Sequence, residues 1–203
     1  MDKNQLFTSL NNILLEFCEK NLLSQERFKE FELILADVEA QLKQAFPNWQ
    51  VEAYGGSHNG FGLNSSDIDL TIIRPKTEKQ CLTVDDVERV LCTEENQRKN
   101  LKSFENLLEK NVPLLKLKYG GVKNDIEVDF TVNNYKGVLN TKLLQIFSRI
   151  DPRVSQLHVI IKQWAKSNSL HGGPEYKFNT YSLALLVINY LQKVVTPPIM
   201  YIK

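Results

Sequence analysis

The chain has 203 residues, 42% hydrophobic and 24% charged, with a formal net charge of +1. That is the composition of a soluble globular protein, long enough for one large domain or two small ones. The balanced charge excludes a molecule-wide basic field, so a nucleic-acid partner would have to be met by a local groove. Three cysteines, Cys18, Cys81 and Cys92, are odd in number and show no metal-ligand spacing, so they read as free thiols in a reducing compartment. No apolar run reaches transmembrane length, and the N-terminal MDKNQLFTSLNN lacks the features of a signal peptide. The expectation is a cytoplasmic or nuclear protein with no membrane partner.

Taken in order, residues 3–20 carry Leu6, Leu10, Ile13, Leu14 and Phe17 at helical spacing. Ser24 is a candidate N-cap for a second helix bearing Phe28, Phe31, Leu35, Val38 and Leu42, which stops before Pro47. Trp49 to Tyr54 alternates and reads as a first strand. It delivers YGGSHNGFGLNSSDIDL, residues 54–70, and a second strand runs from Asp67 to Arg74 until Pro75 ends it. Thr83 with Asp86 predicts a capping box, followed by a helix with Val84, Val87, Val90 and Leu91 on one side. After the polar break TEENQRKN, Leu101, Phe104, Leu107 and Leu108 suggest a further helical piece. VPLLKLKY (112–119) and DIEVDFTV (125–132) flank a glycine-rich turn and predict a hairpin. From Asn140 the period turns helical, with helices expected at about 140–150, 153–168 and 179–194 and a loop over 168–177. The first two helices and the last three are expected to pack as one lobe into which the sheet is inserted, with a ligand cleft between the lobes.

The chemistry concentrates at residues 54–70. Asp67 and Asp69 are two apart on a strand, so they share one face while Ile68 and Leu70 share the other. Adjacent carboxylates repel unless a cation lies between them, and a hard divalent ion such as Mg²⁺ suits oxygen ligands plus substrate phosphates. Gly56 lets backbone approach a phosphate, and Ser57 adds a hydroxyl and an amide. A lone Asp-x-Asp is more simply a pair of solvated acids on an edge strand. The Gly-Gly-Ser upstream and the intervening Gly-Phe-Gly favour a metal–triphosphate site. Asp129, mid-strand between Val128 and Phe130, is either a satisfied edge carboxylate or the third metal ligand. Lys162 and Lys166, four apart, leave one helix face, either as a solvated basic stripe or around an anion. Trp164, with Leu157 and Ile161, is expected to be packing, and Tyr181 could be core or a stacking platform. His58, His158 and His171 show no ligand spacing. His158 reads as a buried or capping histidine, and His58 as a loop residue near the phosphates.

The Gly-Ser turn, GFG, SDIDL and the later EVDF resemble the DNA polymerase β-like nucleotidyltransferases. DPRVSQLHVIIKQWAKSNSL and FNTYSLALLVINYLQ are similar to the helical domain of a narrower branch, the RNA terminal uridylyltransferases and cytoplasmic-type poly(A) polymerases. The likeness covers roughly residues 25–198. It implies an α+β chain with a nucleotidyltransferase fold, a mixed β-sheet flanked by helices. That fold would be inserted into a helical lobe whose C-terminal part is apparently missing. Residues 1–46 would pack with the helical lobe, 47–139 would be the catalytic domain and 140–203 an incomplete helical domain.

By the same resemblance, Asp67, Asp69 and Asp129 match the catalytic, metal-holding carboxylates, and Gly56 and Ser57 the phosphate-holding turn. Asn140 and Thr141 match ribose and base contacts. Lys162 and Lys166 match the triphosphate lysines, and Thr180 and Tyr181 a phosphate-binding hydroxyl and a base-stacking ring. The implied function is template-independent transfer of UMP or AMP from UTP or ATP to an RNA 3′ end, with two Mg²⁺ or Mn²⁺ ions. A recruiting RNA-binding protein is an expected partner, given the near-zero net charge. The competing readings are another enzyme on the same fold, such as an oligonucleotide, cyclic-dinucleotide or small-molecule nucleotidyltransferase, and a non-catalytic nucleotide- or protein-binding module. The resembled proteins continue past the Pro-Pro segment into a base-recognition loop, so the choice between UTP and ATP is not expected to be legible here.

Overall fold

Residues 2–172 and 177–199 are described by a computed structural model. In chain order the elements are helices α1 (Lys3–Asn21) and α2 (Gln25–Ala45), strand β1 (Gln50–Tyr54), the single turn α3 (Gly56–Asn59) and strand β2 (Ile68–Ile73). Then come α4 (Val84–Leu91), α5 (Glu94–Lys99), β3 (Leu101–Leu107), β4 (Leu114–Tyr119) and β5 (Ile126–Val132). Helices α6 (Tyr135–Ile150), α7 (Pro152–Ser167) and α8 (Thr180–Lys193) complete the order. Local chemistry sets most boundaries. Ser24 caps α2 by accepting from the Arg27 amide, and at α4 both halves of the Thr83–Asp86 capping box are made. Asp151 caps α7 with Pro152 at its first position, and Asn179 caps α8.

The chain forms two units. One comprises residues 24–58 and 66–141, the other residues 1–23, 59–65 and 142–203.

The first unit is built on a five-stranded mixed sheet in the order β1-β2-β5-β4-β3. β2 and β5 run parallel, and the other neighbours are antiparallel. One face is apolar: Ile68, Leu70, Ile72, Val128, Phe130, Leu115 and Leu117 are all buried, beneath α4, while α2 packs on β1 and α4. Each such side chain stabilises the fold by roughly 1.5–3 kcal/mol. The other face is polar and carries Tyr54, Asp69, Thr71, Lys116, Asp129 and Thr131, placed by the ladder partners Tyr54↔Asp69, Asp69↔Asp129 and Asp129↔Lys116.

Two expectations fail in this unit. Helix α2 was expected in the helical lobe but packs with the sheet, because Phe31, Ile34, Val38 and Leu42 are buried there. The piece after TEENQRKN is not a helix beyond α5 but the edge strand β3. A register shift between Leu101 and Ser103 adds a residue to the alternation. It brings Leu101 and Phe104, three apart, to one face, and with Leu107 three further on across the strand the sequence imitates a helical stripe.

The second unit gathers α1, a short excursion of the chain at 59–65, the later part of α6, α7 and α8. Its core is Phe61, Leu144, Val154, Ala184, Val187, Ile188, Leu191 and Ile199. The excursion is pinned at both ends, with the Leu23 amide donating to Gly62 O at 2.9 Å and the Asn64 amide to Asn21 O at 3.0 Å. Gly60 has φ +86°, and a Cβ there would overlap Ser148, so the chain can pass only as glycine. The Gly-Phe-Gly run is therefore an anchor whose Phe61 fills a core, not part of a phosphate cradle. Trp164 is exposed, contrary to the packing role expected of it. Leu185, Leu186 and Tyr190 leave one face of α8 apolar and exposed. Helix α6 starts five residues earlier than its periodicity suggested, at Tyr135, because Asn134 accepts from the Gly137 amide and starts it early. Part of the predicted 168–177 loop, residues 173–176, lies outside the described residues. No described helix is long and apolar enough to cross a membrane.

Candidate active site

The parallel pairing of β2 with β5 sets Asp69 directly beside Asp129 on the polar face, although 60 positions separate them along the chain. Asp67 lies exposed just before β2. Burial raises the proton affinity of the Asp129 carboxyl, opposed by the ammonium groups of Lys116 and Lys110. Its Oδ1 is buried and has no hydrogen-bond partner. A desolvated carboxylate oxygen without a donor costs free energy unless something outside the protein chain satisfies it. A divalent cation coordinated by oxygen would do so. Among the described residues no three carboxylate, imidazole or thiol groups are already gathered around one point. Three like charges have no reason to converge without a cation between them.

The turn after β1 closes the site from the side. Gly55 has φ +76°, and a Cβ built on it would overlap the Asp69 carboxylate, so the backbone itself forms a wall against that side chain. Thr141 accepts from the Gly55 amide at 2.8 Å and donates to Gly137 O at 2.8 Å. Behind the carboxylates, Thr131 Oγ1 lies 3.2 Å from Leu70 O, to which it donates, and 3.2 Å from the Tyr54 hydroxyl. Its single proton is then committed, so Tyr54 is the donor in the second bond. Asn134 donates its amide to Thr71 Oγ1 at 3.1 Å.

Gly56 opens α3. Ser57 is buried, with its hydroxyl 2.9 Å from His58 Nδ1 and 3.4 Å from Tyr54 O. His58 in turn reaches Glu32 at 3.3 Å, and burial lowers its pKa against the pull of that carboxylate. Asn140 and Thr141 lie in the second turn of α6. Asp69, Asp129, Gly56, Ser57, Asn140 and Thr141 thus belong to the sheet unit, as does Asp67.

The remaining predicted residues belong to the helical unit. Lys162 and Lys166 are one turn apart on α7. Thr180 is the first residue of α8 and its hydroxyl lies 3.0 Å from His171 Nε2. The pKa of His171 is lowered by burial and by both Lys162 and Lys166, which puts the two ammonium groups near the ring that contacts Thr180. Tyr181 is half-buried against the helical core, so its ring packs there at least in part.

Sequence reasoning missed Gly55, Tyr54, Lys116 and His171. Gly55 had a signal, since a glycine directly after a strand marks a turn that needs a positive φ. The others had none, because their roles depend on register and tertiary approach.

The description "Poly(A) RNA polymerase, mitochondrial-like, central palm domain" belongs to the family model that matches residues 10–149. The chain is 34% identical over 153 residues to the Caenorhabditis elegans poly(A) RNA polymerase gld-2, covering 74% of this chain and 14% of that protein. It is 30% identical over 199 residues to rat poly(A) RNA polymerase GLD2, covering 93% of this chain and 40% of that one. The chain therefore spans well under half the length of these relatives. A solved GLD-2/RNP-8 complex superposes with a TM-score of 0.79 at 27% identity, over 92% of this chain and 57% of the other. The Cid1 poly(U) polymerase bound to MgATP superposes with a TM-score of 0.78 at 22% identity, over 95% and 58%, a likeness of fold alone.

Proposed function

From the premise that the chain belongs to the family of the mitochondrial-like poly(A) RNA polymerase central palm domain, we propose that it adds nucleotides to RNA 3′ ends without a template. The observation that carries this reading is the ladder pair Asp69↔Asp129, which two parallel strands put side by side next to a glycine wall. The relatives at 30% identity and above are named poly(A) RNA polymerases, which favours AMP, with UMP as the alternative product.

In this reading Asp67, Asp69 and Asp129 hold divalent cations, Mg²⁺ or Mn²⁺. When bound, these supply activation of the primer hydroxyl and neutralisation of the triphosphate. The orphaned Asp129 Oδ1 supports that assignment. Asp129, whose burial raises its proton affinity, is the group to take the proton of the RNA 3′-hydroxyl. Attack on the α-phosphorus then extends the RNA by one nucleotide and releases pyrophosphate. Gly56 and Ser57 are proposed for the phosphates through their amides at the start of α3, and Asn140 for the ribose and base side. Lys162, Lys166 and Thr180 are proposed for the triphosphate, and Tyr181 for the base. The nearness of both lysine ammonium groups to His171, beside the Thr180 hydroxyl, supports an anion there. Two solved relatives contain GLD-2 with RNP-8 and GLD-2 with GLD-3. By analogy we assign RNA choice to a recruiting protein, and the free thiols Cys18, Cys81 and Cys92 suit work in a reducing compartment such as the cytoplasm.

The test is extension of a labelled RNA primer with each of the four nucleoside triphosphates separately, in the presence of Mg²⁺ or Mn²⁺. Wild-type chain should extend the primer with ATP or UTP, and D69A should not. Product formed from nucleotides without primer would instead indicate an oligonucleotide or cyclic-dinucleotide synthase. No Mg²⁺-dependent nucleotide binding in calorimetry would indicate a non-catalytic module.

A further inference from the structure

Thr141 is held differently from the base or ribose contact that the family resemblance implies for it. Its hydroxyl is buried and committed in both directions, accepting from the Gly55 amide at 2.8 Å and donating to Gly137 O at 2.8 Å. A threonine hydroxyl has one proton. With that proton on Gly137 O, Thr141 has none to give to a nucleotide. What it holds is therefore the informative question.

It holds Gly55, whose backbone stands so close to the Asp69 carboxylate that no side chain fits between them. The other end of the chain of bonds is equally fixed. The Gly137 amide donates to Asn134 Oδ1 at 3.0 Å, and the Asn134 amide donates to Thr71 Oγ1 at 3.1 Å. Thr71 is fully buried on β2, two residues beyond Asp69. Gly137 also packs so tightly on the Tyr54 ring that a Cβ there would stand 2.8 Å from it, and Tyr54 is the ladder partner of Asp69 on β1. The bonds form a closed circuit: β2, Asn134, the first turn of α6, Thr141, Gly55, β1 and back to β2. Asp69 lies on the β2 segment of it, paired with Tyr54 and two residues before Thr71.

We infer that Thr141 is a positioning residue for nucleotidyl transfer, its hydroxyl tying helix α6 to the Gly55 amide and so fixing the backbone wall that orients the Asp69 carboxylate. This rests on the proposed function. The predicted signature is a defect in the chemical step and not in nucleotide affinity, because a carboxylate displaced by a fraction of an ångström misaligns the reacting groups.

The experiment compares wild type, T141V and T141S in RNA primer extension, with hydrogen exchange of the Gly55 amide measured on the same proteins. Valine keeps the shape and removes both bonds, and serine keeps both bonds. T141V should lower kcat by about 10- to 100-fold with the nucleotide KM within about threefold of wild type. The Gly55 amide should exchange at least about tenfold faster in T141V. T141S should recover kcat to within about threefold, and its Gly55 exchange should match wild type. A T141V protein with wild-type kcat overturns the inference, as does one with a raised KM, unchanged kcat and unchanged Gly55 exchange, which would mean direct nucleotide contact. Wild-type chain that extends no primer overturns the proposed function instead. If T141V does not fold, T141S decides by the same criteria, since loss of kcat with both bonds retained refutes the positioning role.

Discussion

His158 should make the fold sensitive to mild acid. It is fully buried in the helical unit, with its ring edge-on to Phe61 at a centroid distance of 4.7 Å. Burial, with the Lys162 ammonium adding to it, lowers its pKa from the ordinary 6.5 to about 4. Between these values the unfolded chain binds a proton that the folded chain refuses, so stability falls as pH falls from 6.5 toward 4. The interval spans about 2.5 pH units at about 1.36 kcal/mol each, or about 3 kcal/mol in full, of which about 2 kcal/mol is lost between pH 7.5 and pH 5. Urea unfolding of wild type and H158L at those two pH values isolates the contribution, because every other titrating group is common to both proteins. Wild type should lose about 2 kcal/mol more than H158L on acidification. Equal losses in the two proteins would refute the reasoning, since the histidine would then titrate alike folded and unfolded.

D69N should abolish primer extension, by at least about a thousandfold, yet raise the thermal midpoint of the metal-free protein, because it removes one of two adjacent like charges. G55A should lose about 100-fold in kcat, more than its stability loss of about 1–3 kcal/mol in urea would explain, since the new methyl displaces Asp69. K162A and K166A should each raise the nucleotide KM about tenfold, and the double variant should lose much of the salt dependence of nucleotide binding. R27M should cost about 2–3 kcal/mol in urea unfolding with extension kinetics unchanged at low temperature. The Arg27 guanidinium binds Glu30 and the carbonyls of Asn124 and Asp125, and it stacks 5.3 Å over Phe31.

The polar and apolar faces of β2 and β5 were legible because strand alternation is strict, and Asp69 and Asp129 followed from it. The predicted caps at Ser24 and Thr83 fall at the actual helix starts, since each side chain competes only for amides within three residues. Strand β3 was not legible. Its register shift breaks the two-residue period, and an exposed edge strand has too few buried positions to restore it. Helix α2 was placed in the wrong unit because an apolar stripe says that a face is buried but not against what. Gly-Phe-Gly was read as phosphate chemistry, though Phe61 belongs to a core assembled from residues 144–199. Gly55 and Thr141 meet across 86 positions, a distance at which no local pattern operates.

The excursion at 59–65 limits how this polypeptide can be divided. No single cut yields either unit whole, since each is assembled from chain stretches on both sides of the other. A shortened version ending before α8 would leave Phe61 without most of its neighbours, and one beginning at Ser24 would discard the residues that tether Gly62 and Asn64. During synthesis the helical body must wait for its last helix to emerge before its core can close, while the strands leading to the carboxylates already exist. Any shortened version should therefore be trimmed at the surface, with the order of segments left intact.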